Sequence, residues 1–252
     1  GAIVALIPRN RYTENMITQP LKFAVAATYV PDGSLEYELQ NVPTGEYFVY
    51  AFGSKKPGSQ TALLHGKPIG SYDLNQDFIS DPVFMSIFDS QITGIDITLQ
   101  PNEYTSTGTD AFRAEVQQIA ERWNPSAELI HVNALMPLSE GGESLLWLWL
   151  FHTQNGQSAF GVVSTGDRLL LGFPTGLELN FFKAIPDGWI DSQDAVANAL
   201  QIESEFLSGK SDTTIQASLS GGLRAEFLYE EPVWTVSFLA DSAFRTVYLD
   251  GV

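Results

Sequence analysis

The sequence predicts a multidomain protein, an all-β sandwich followed by an α+β region of two repeated helix-plus-antiparallel-sheet units. Three observations lead to this prediction. Over the first hundred residues, apolar residues alternate with polar ones between turns rich in glycine and proline, which is typical of short antiparallel strands. Beyond a polar linker, amphipathic helical patterns appear, each followed by several β-prone runs. Spacings within this second region recur, which indicates an internal repeat.

The first domain is predicted to span residues 1–101. The clearest strand lies within residues 42–52, where Pro43 and Gly45 mark a tight entry into a run rich in aromatic and β-branched residues. The other predicted strands lie at 1–4, 21–29, 35–39, 83–88 and 94–99, and alternation supports those at 21–29, 35–39 and 94–99.

Residues 39–49, LQNVPTGEYFV, resemble the L-x-x-V-P-x-G-x-Y-x-V signature of carboxypeptidase regulatory-like domains, which are transthyretin-type β-sandwiches. The opening strand at 1–4 and the closing run at 93–99 resemble the first and last strands of that family. The resemblance covers residues 1–101. It implies an accessory, adhesive or spacer module without catalytic activity.

Residues 102–109 form a polar linker, and two α+β units follow at 110–185 and 186–252. Asp110 is predicted to cap a helix that ends before Asn124-Pro125, and Asp191 to cap its counterpart in the second unit. The strands that follow the two helices are predicted at 128–135, 145–152, 159–164 and 169–173, and at 213–219, 223–229, 233–239 and 245–249.

Three spacings support the repeat. The predicted caps lie 81 residues apart, and Trp149 precedes Gly166 by the same 17 residues that separate Trp234 from Gly251. A Ser-Ala-Phe sequence occurs in both units, at 158–160 and 242–244. Together these spacings predict two helix-then-sheet units.

The second unit resembles PepSY-like domains, which end in a W-x-V-x-F strand and a V-x-V-D-x-x-G-type strand. The matching residues are 234–238, WTVSF, and 247–251, VYLDG. The first unit, with WLWLF at 147–151, matches less closely and has no acidic residue before Gly166. The resemblance implies a binding or peptidase-inhibiting module outside the cytoplasm, without a cofactor or a catalytic set.

Residues 145–151 are apolar without alternation, so this strand should be covered on both faces. A helix would cover one face. For the other, we expect the partner unit, with the sandwich domain or another chain as the alternatives. A single undivided sheet would contradict this expectation and, with it, the interpretation as a binding module that depends on the two halves covering each other.

The composition limits the partners and the compartment. The formal charge is −17, which disfavours nucleic acid and anionic lipid. Cysteine is absent, which excludes disulfides and thiol chemistry, and no apolar run reaches the length of a membrane span. We expect an extracytoplasmic protein (periplasmic or at the cell surface) whose export segment preceded Gly1, with a lipid anchor there as one form of attachment.

Candidate sites are few. The three histidines show no metal-ligand spacing, and there is no G-x-S-x-G sequence for a nucleophilic serine. Oxygen ligands in the segment 73–81 predict either an irregular calcium site or a polar loop with Asx turns, the residues being Asp73, Asn75, Asp77 and Asp81.

Aromatic side chains offer the alternative of a ligand site. Trp189 lies in a Pro-Asp-Gly-Trp loop and is predicted to be exposed, and Phe181 and Phe182 are its candidate companions for stacking on sugars or anchoring peptides. Trp147 and Trp149 should share one face of their strand, where a role in the core is the other interpretation.

These patterns predict a non-enzymatic binding or accessory protein that engages a protein or peptide and needs no cofactor. Carbohydrate binding through exposed aromatic residues is the alternative. A hydrolase that uses acidic residues is the least favoured hypothesis, because thirty acidic residues make chance pairs inevitable.

Overall fold

The structure is a computed structural model that describes residues 1–9, 20–34, 36–54, 68–76, 79–86, 92–99, 105–153, 158–165, 168–175, 179, 181–222 and 231–252. The chain divides into two compact units. The first unit comprises Gly1–Glu103 and Leu170–Leu177, and the second comprises Tyr104–Leu169 and Glu178–Val252. The residues predicted as two α+β units, 110–185 and 186–252, thus fall largely into one compact unit.

The first unit contains an antiparallel sheet with a short helix between its first two strands. The order is β2-β1-β3-β4, and β5 also pairs with β3. The elements are β1 (Ala2–Pro8), α1 (Pro20–Phe23), β2 (Ala26–Val30), β3 (Gly45–Gly53), β4 (Ile69–Ser71) and β5 (Pro82–Met85).

The segment that resembles the carboxypeptidase regulatory-like signature forms the entry into β3. The Tyr47 hydroxyl donates a hydrogen bond of 2.7 Å to the Pro43 carbonyl, which ties the turn to the strand. Tyr47 is only 4% exposed and belongs to a core cluster with Val4 and Val49. The β-prone run predicted within residues 42–52 is therefore confirmed as a strand.

Three other predictions for this region need correction. Residues 20–23 form a helix because Pro20 suits the first helical turn, so only the end of the predicted strand 21–29 is extended. Residues 36–40 form no strand, although Tyr37 and Leu39 pack against the core. Within 94–99, only Ile97 forms a bridge. Alternation identified the residues that face the core, but it did not show whether their backbones find a partner strand.

The second unit contains two halves with the same order of elements, a helix and then three antiparallel strands. The first half has a 3₁₀ turn at Asp110–Phe112, α2 (Arg113–Trp123), β6 (Ala127–Ala134), β7 (Trp147–Thr153) and β8 (Ala159–Thr165). The strand β9 (Arg168–Thr175) follows, and most of its residues belong to the first unit. The second half has α3 (Ser192–Ile202), α4 (Ser204–Leu207), β10 (Thr213–Ser220), β11 (Val233–Ala240) and β12 (Ala243–Asp250). The strand predicted at 223–229 lies outside the described residues.

The two halves join edge to edge in one sheet. The strands follow the order β12-β11-β10-β6-β7-β8, and β10 pairs antiparallel with β6 through Leu219 and Val132. All seven residues of β7 are buried, as its apolar sequence predicted. The expectation that the partner half covers one face of this strand is wrong for the strands of that half, which extend the same sheet instead, although that half contributes Trp189, which contacts Trp149 of β7.

The beginnings of the two helices bind each other. The backbone N–H of Thr109 donates to Ser192 Oγ and that of Ser192 to Thr109 Oγ1, both at 3.1 Å. Asp191 is the N-cap residue of α3, as predicted, but its carboxylate accepts hydrogen bonds from the Asp110 N–H (2.9 Å) and the Thr109 hydroxyl. Thr109, and not Asp110, caps the first 3₁₀ turn. A Cβ at Gly108 would lie 2.6 Å from Asp191 Oδ2, which explains the glycine.

The tryptophans correct the predicted alignment of the halves. The indole Nε1 of Trp147 donates to the Thr107 carbonyl and that of Trp234 to the Ile190 carbonyl, each at 2.9 Å, so each binds the segment that enters its own helix. Trp147, and not Trp149, is thus the counterpart of Trp234. The equal 17-residue spacings indicated the wrong counterpart. The β7–β8 hairpin has two more residues between equivalent paired positions than the β11–β12 hairpin.

Candidate functional site

A cleft of about 770 Å³ lies in the second unit between α2 and the segment 184–189. Its floor comes from β6 and β7. The lining residues are Asp110, Arg113, Ala114, Gln117, Glu121, Ala127, Glu128, Leu129, Trp149, Phe151, Ala184, Ile185, Pro186, Asp187 and Trp189. This set is called the cleft below.

Helical and strand periodicity explain why these side chains meet. Arg113, Gln117 and Glu121 are spaced four residues apart on α2, so they form one row along the helix. The apolar row of Val116, Ile119 and Ala120 is buried. Trp149 and Phe151 are two residues apart on β7 and point to the same side of the sheet. The cleft thus combines a polar helix row with an aromatic floor.

Trp189 does not have the exposure that the sequence predicted. It is 4% exposed and lies between two other tryptophans, with ring centroids 6.4 Å from Trp149 and 6.3 Å from Trp234. The preceding residues, Pro186 to Gly188, are exposed. The loop was therefore correctly predicted to lie at the surface, but its tryptophan folds back into the core.

Arg113 connects this tryptophan to the rim. Its guanidinium carbon lies 4.7 Å from the centroid of a Trp189 ring, which is a cation–π contact. Its Nη2 is 3.3 Å from Asp187 Oδ1, whose side chain is fully exposed. Sequence reasoning missed Arg113. The sequence offered one signal for it: Arg113 is the first residue of the polar row on a helix whose apolar row could be assigned to the core.

The other two predicted ligand residues lie apart from Trp189. Phe181 is 40% exposed and its ring centroid is 4.6 Å from that of Phe182. Phe182 in turn lies 6.3 Å from the ring of His131. His131 alternates with Val132, which pairs with Trp149, so it points to the opposite face of the sheet. The structure therefore groups the two phenylalanines with His131.

His131 has a pKa lowered to about 4 from its usual 6.5, because burial disfavours the charged ring. Its Nδ1 lies 2.8 Å from Ser220 Oγ. The second described histidine, His152, is fully buried; its Nδ1 is 3.3 Å from the Leu179 carbonyl, and its Nε2 is 3.4 Å from a Glu128 oxygen without the alignment of a hydrogen bond. His65 lies outside the described residues.

The lowered pKa of His131 predicts a loss of stability in acid. The unfolded chain takes up a proton below about pH 6.5 and the folded chain only near pH 4, so stability falls as the pH decreases through this interval. Between pH 7 and pH 5, we expect the free energy of unfolding of the wild type to fall by about 1–2 kcal/mol more than that of His131→Asn. Urea unfolding at both pH values measures this difference. Equal losses in the two proteins would contradict the prediction.

The predicted calcium segment is described in part. Asp81 accepts a hydrogen bond of 2.7 Å from the Leu74 N–H, an arrangement that closes the loop. Asn75 is exposed and Asp73 is half-buried, whereas Asp77 lies outside the described residues. Among the residues that the structure describes, no three side chains of histidine, aspartate or glutamate come together as a metal site.

Comparisons with known proteins give no match: no family model, no curated protein and no solved structure is significantly similar to the chain. In the described part of the chain, no helix has the length and apolar character needed to cross a membrane.

Proposed function

We propose that this chain is a non-enzymatic binding protein that engages a protein or peptide partner outside the cytoplasm. The observation that carries the proposal is the cleft, into which a segment of the partner would fit. Its volume of about 770 Å³ lies within the range of about 300–1,000 Å³ that is typical of ligand sites.

The chemistry of the cleft suits a peptide. Trp149 and Phe151 are each only 1% exposed and form the packed base of the cleft, so the apolar surface open to a partner side chain comes from the exposed Ala114 and Pro186. On the polar row of α2, the Gln117 amide nitrogen already donates to Glu121 Oε1 (3.1 Å) and to the Ala127 carbonyl (3.4 Å), so the row offers a peptide backbone the Gln117 carbonyl oxygen and the second Glu121 oxygen. An extended segment would lie along α2, with one apolar side chain against Ala114 and Pro186.

The described residues that line the cleft include no histidine, serine or cysteine, so any nucleophile or base there would have to come from its four carboxylates, those of Asp110, Glu121, Glu128 and Asp187. His131 and Ser220 form a close pair elsewhere, but a pKa near 4 makes His131 a weak base at neutral pH.

The proposal includes the two family resemblances. A helix followed by three antiparallel strands, found in both halves of the second unit, is compatible with PepSY-like modules and their expected binding or inhibitory role. The tie between Tyr47 and Pro43 gives the carboxypeptidase regulatory-like signature a structural purpose in the first unit. Both resemblances point to an accessory protein.

A peptide-display selection tests the function. A library of random peptides of about 12 residues is selected on the wild type and, in parallel, on Ala114→Trp. Ala114 is exposed on α2 and lines the cleft, so the larger side chain should fill it. Gln118→Trp is the matched control, since Gln118 is exposed on the same helix outside the cleft.

We expect peptides that are enriched on the wild type to bind Gln118→Trp equally and to bind Ala114→Trp at least about tenfold more weakly, a loss of about 1.4 kcal/mol. Thermal unfolding verifies that both variants fold. The absence of any enriched peptide, or equal binding by Ala114→Trp, would overturn the proposal.

Carbohydrate binding remains a second candidate because of a separate exposed surface. On the sheet face opposite the cleft, Leu239, Phe244 and Tyr248 are 48%, 65% and 57% exposed. The hydroxyls of Ser237 and Thr246 lie 3.1 Å apart between them. Aromatic rings beside hydroxyl groups suit a sugar surface. A glycan array probed with wild type and Phe244→Ala tests this candidate, which requires a signal that the variant loses.

A further inference from the structure

We infer that the cleft selects a partner segment that carries a lysine or arginine, placed to reach the acidic rim of the cleft. This inference rests on the proposed function and specifies the chemistry of the partner.

The lining is strongly acidic. Four carboxylates, those of Asp110, Glu121, Glu128 and Asp187, contribute to the cleft, and the Arg113 guanidinium is the only basic group among its described lining residues. This ratio exceeds the 30 acidic to 13 basic residues of the whole chain. Charges at the rim of an interface steer an oppositely charged partner and reject one of like charge.

Arg113 shows that a guanidinium fits this environment. It lies over the Trp189 ring at 4.7 Å and contacts Asp187 at 3.3 Å, so it combines an aromatic face with a carboxylate. These are the two contacts by which proteins commonly hold arginine and lysine side chains. Because Asp187 is exposed and the ion pair is single, this internal contact is weak. An incoming cation can therefore compete for it.

The opposite inference would make Arg113 the receptor for a partner carboxylate. The contacts of Arg113 argue against this, because its guanidinium already has an acidic partner in Asp187 and an aromatic face in Trp189. A carboxylate entering the cleft would also meet the remaining acidic side chains. Binding of acidic segments is thus the outcome that the test must be able to detect.

The test uses a peptide enriched on the wild type and two synthetic analogues, one with its basic residues replaced by glutamine and one with glutamate. Fluorescence anisotropy measures each affinity at about 0.05 M and about 0.5 M NaCl. We expect the parent peptide to bind at least about tenfold more tightly than the glutamate analogue, and to weaken by at least about threefold at the higher salt concentration.

Two charge variants on α2 form a matched pair. Glu121→Gln removes a carboxylate from the cleft. It should lower the affinity for the parent peptide about two- to fivefold and leave the affinity for the glutamine analogue unchanged. Glu115→Gln makes the same change at an exposed position outside the cleft and should leave both affinities unchanged.

Arg113→Gln should increase the affinity for the parent peptide about three- to tenfold, because the substitution frees the Trp189 face and Asp187 for the partner's cation. A purely structural Arg113 would give the opposite sign or no change. Equal affinities for the three peptides, still lost in Ala114→Trp, would overturn the charge inference and leave the proposed function standing. Failure of every peptide to respond to Ala114→Trp would overturn both.

Discussion

Trp189→Ala is expected to lower the free energy of unfolding by about 3–5 kcal/mol, the usual cost of deleting a fully packed aromatic side chain. Trp189 is 4% exposed and joins the Trp149 strand to the Trp234 strand. Its removal would leave a cavity at the junction of both halves and would also release Arg113 from its aromatic contact. Urea or thermal unfolding measures the loss.

Phe181→Ala is the control, since it removes an aromatic side chain that is 40% exposed from the same connecting segment. We expect a loss of no more than about 1 kcal/mol there. If the two variants lost equally little, Trp189 would be a surface residue, as the sequence pattern suggested, and the packed row of three tryptophans would be wrong.

Asp191→Ala is expected to cost about 2–4 kcal/mol. The carboxylate accepts hydrogen bonds from the Asp110 N–H and the Thr109 hydroxyl, and Thr109 is fully buried. Without this acceptor, the donors at the start of the first helix would lose their partner, whereas α3 would lose no capping hydrogen bond, because the Asp191 side chain makes none to its own helix. Denaturant unfolding of the variant gives the value.

Asp194→Ala provides the comparison within α3. Asp194 is an exposed acid in the first turn, so its loss should cost only about 0.3–1 kcal/mol through the helix dipole. Asp191→Asn keeps an acceptor oxygen and should fall between the two. Equal effects of Asp191→Ala and Asp194→Ala would show that the link between the two helices does not contribute to stability.

The sequence predicted the elements of the second unit well because their signals are local. The apolar run at 145–151 indicated a strand buried on both faces, which holds from Trp147 onward, whereas Leu145 precedes the strand and is 38% exposed. Helical spacing indicated the helix that ends at Trp123. The shared face of Trp149 and Phe151 follows from the period of a strand. These predictions required no knowledge of distant contacts.

The misses concern long-range geometry. A strand buried on both faces does not reveal what covers it, so the edge-to-edge pairing of β6 with β10 was not predictable from β7. Pro186 and Gly188 correctly indicated a turn, but the turn alone did not show that Trp189 folds inward. The helix pattern likewise could not show that the carboxylate of one cap serves the other helix.

The continuous sheet also changes the basis of the functional proposal. The sequence-based interpretation as a binding module relied on two halves that pack face to face. The halves instead form one sheet, so that support is lost. The proposal now rests on the cleft between α2 and residues 184–189. Its aromatic floor was visible in the sequence, whereas its rim depends on how the segment carrying Asp187 returns to α2.

Hydrogen exchange of the protein with and without a selected peptide tests the central claim most directly. We expect added protection in α2 and in residues 184–189, and none in β12, where the exposed Phe244 lies on the other face of the sheet. Protection confined to β12, or peptide binding that leaves α2 and 184–189 unchanged, would contradict the assignment of the cleft as the binding site.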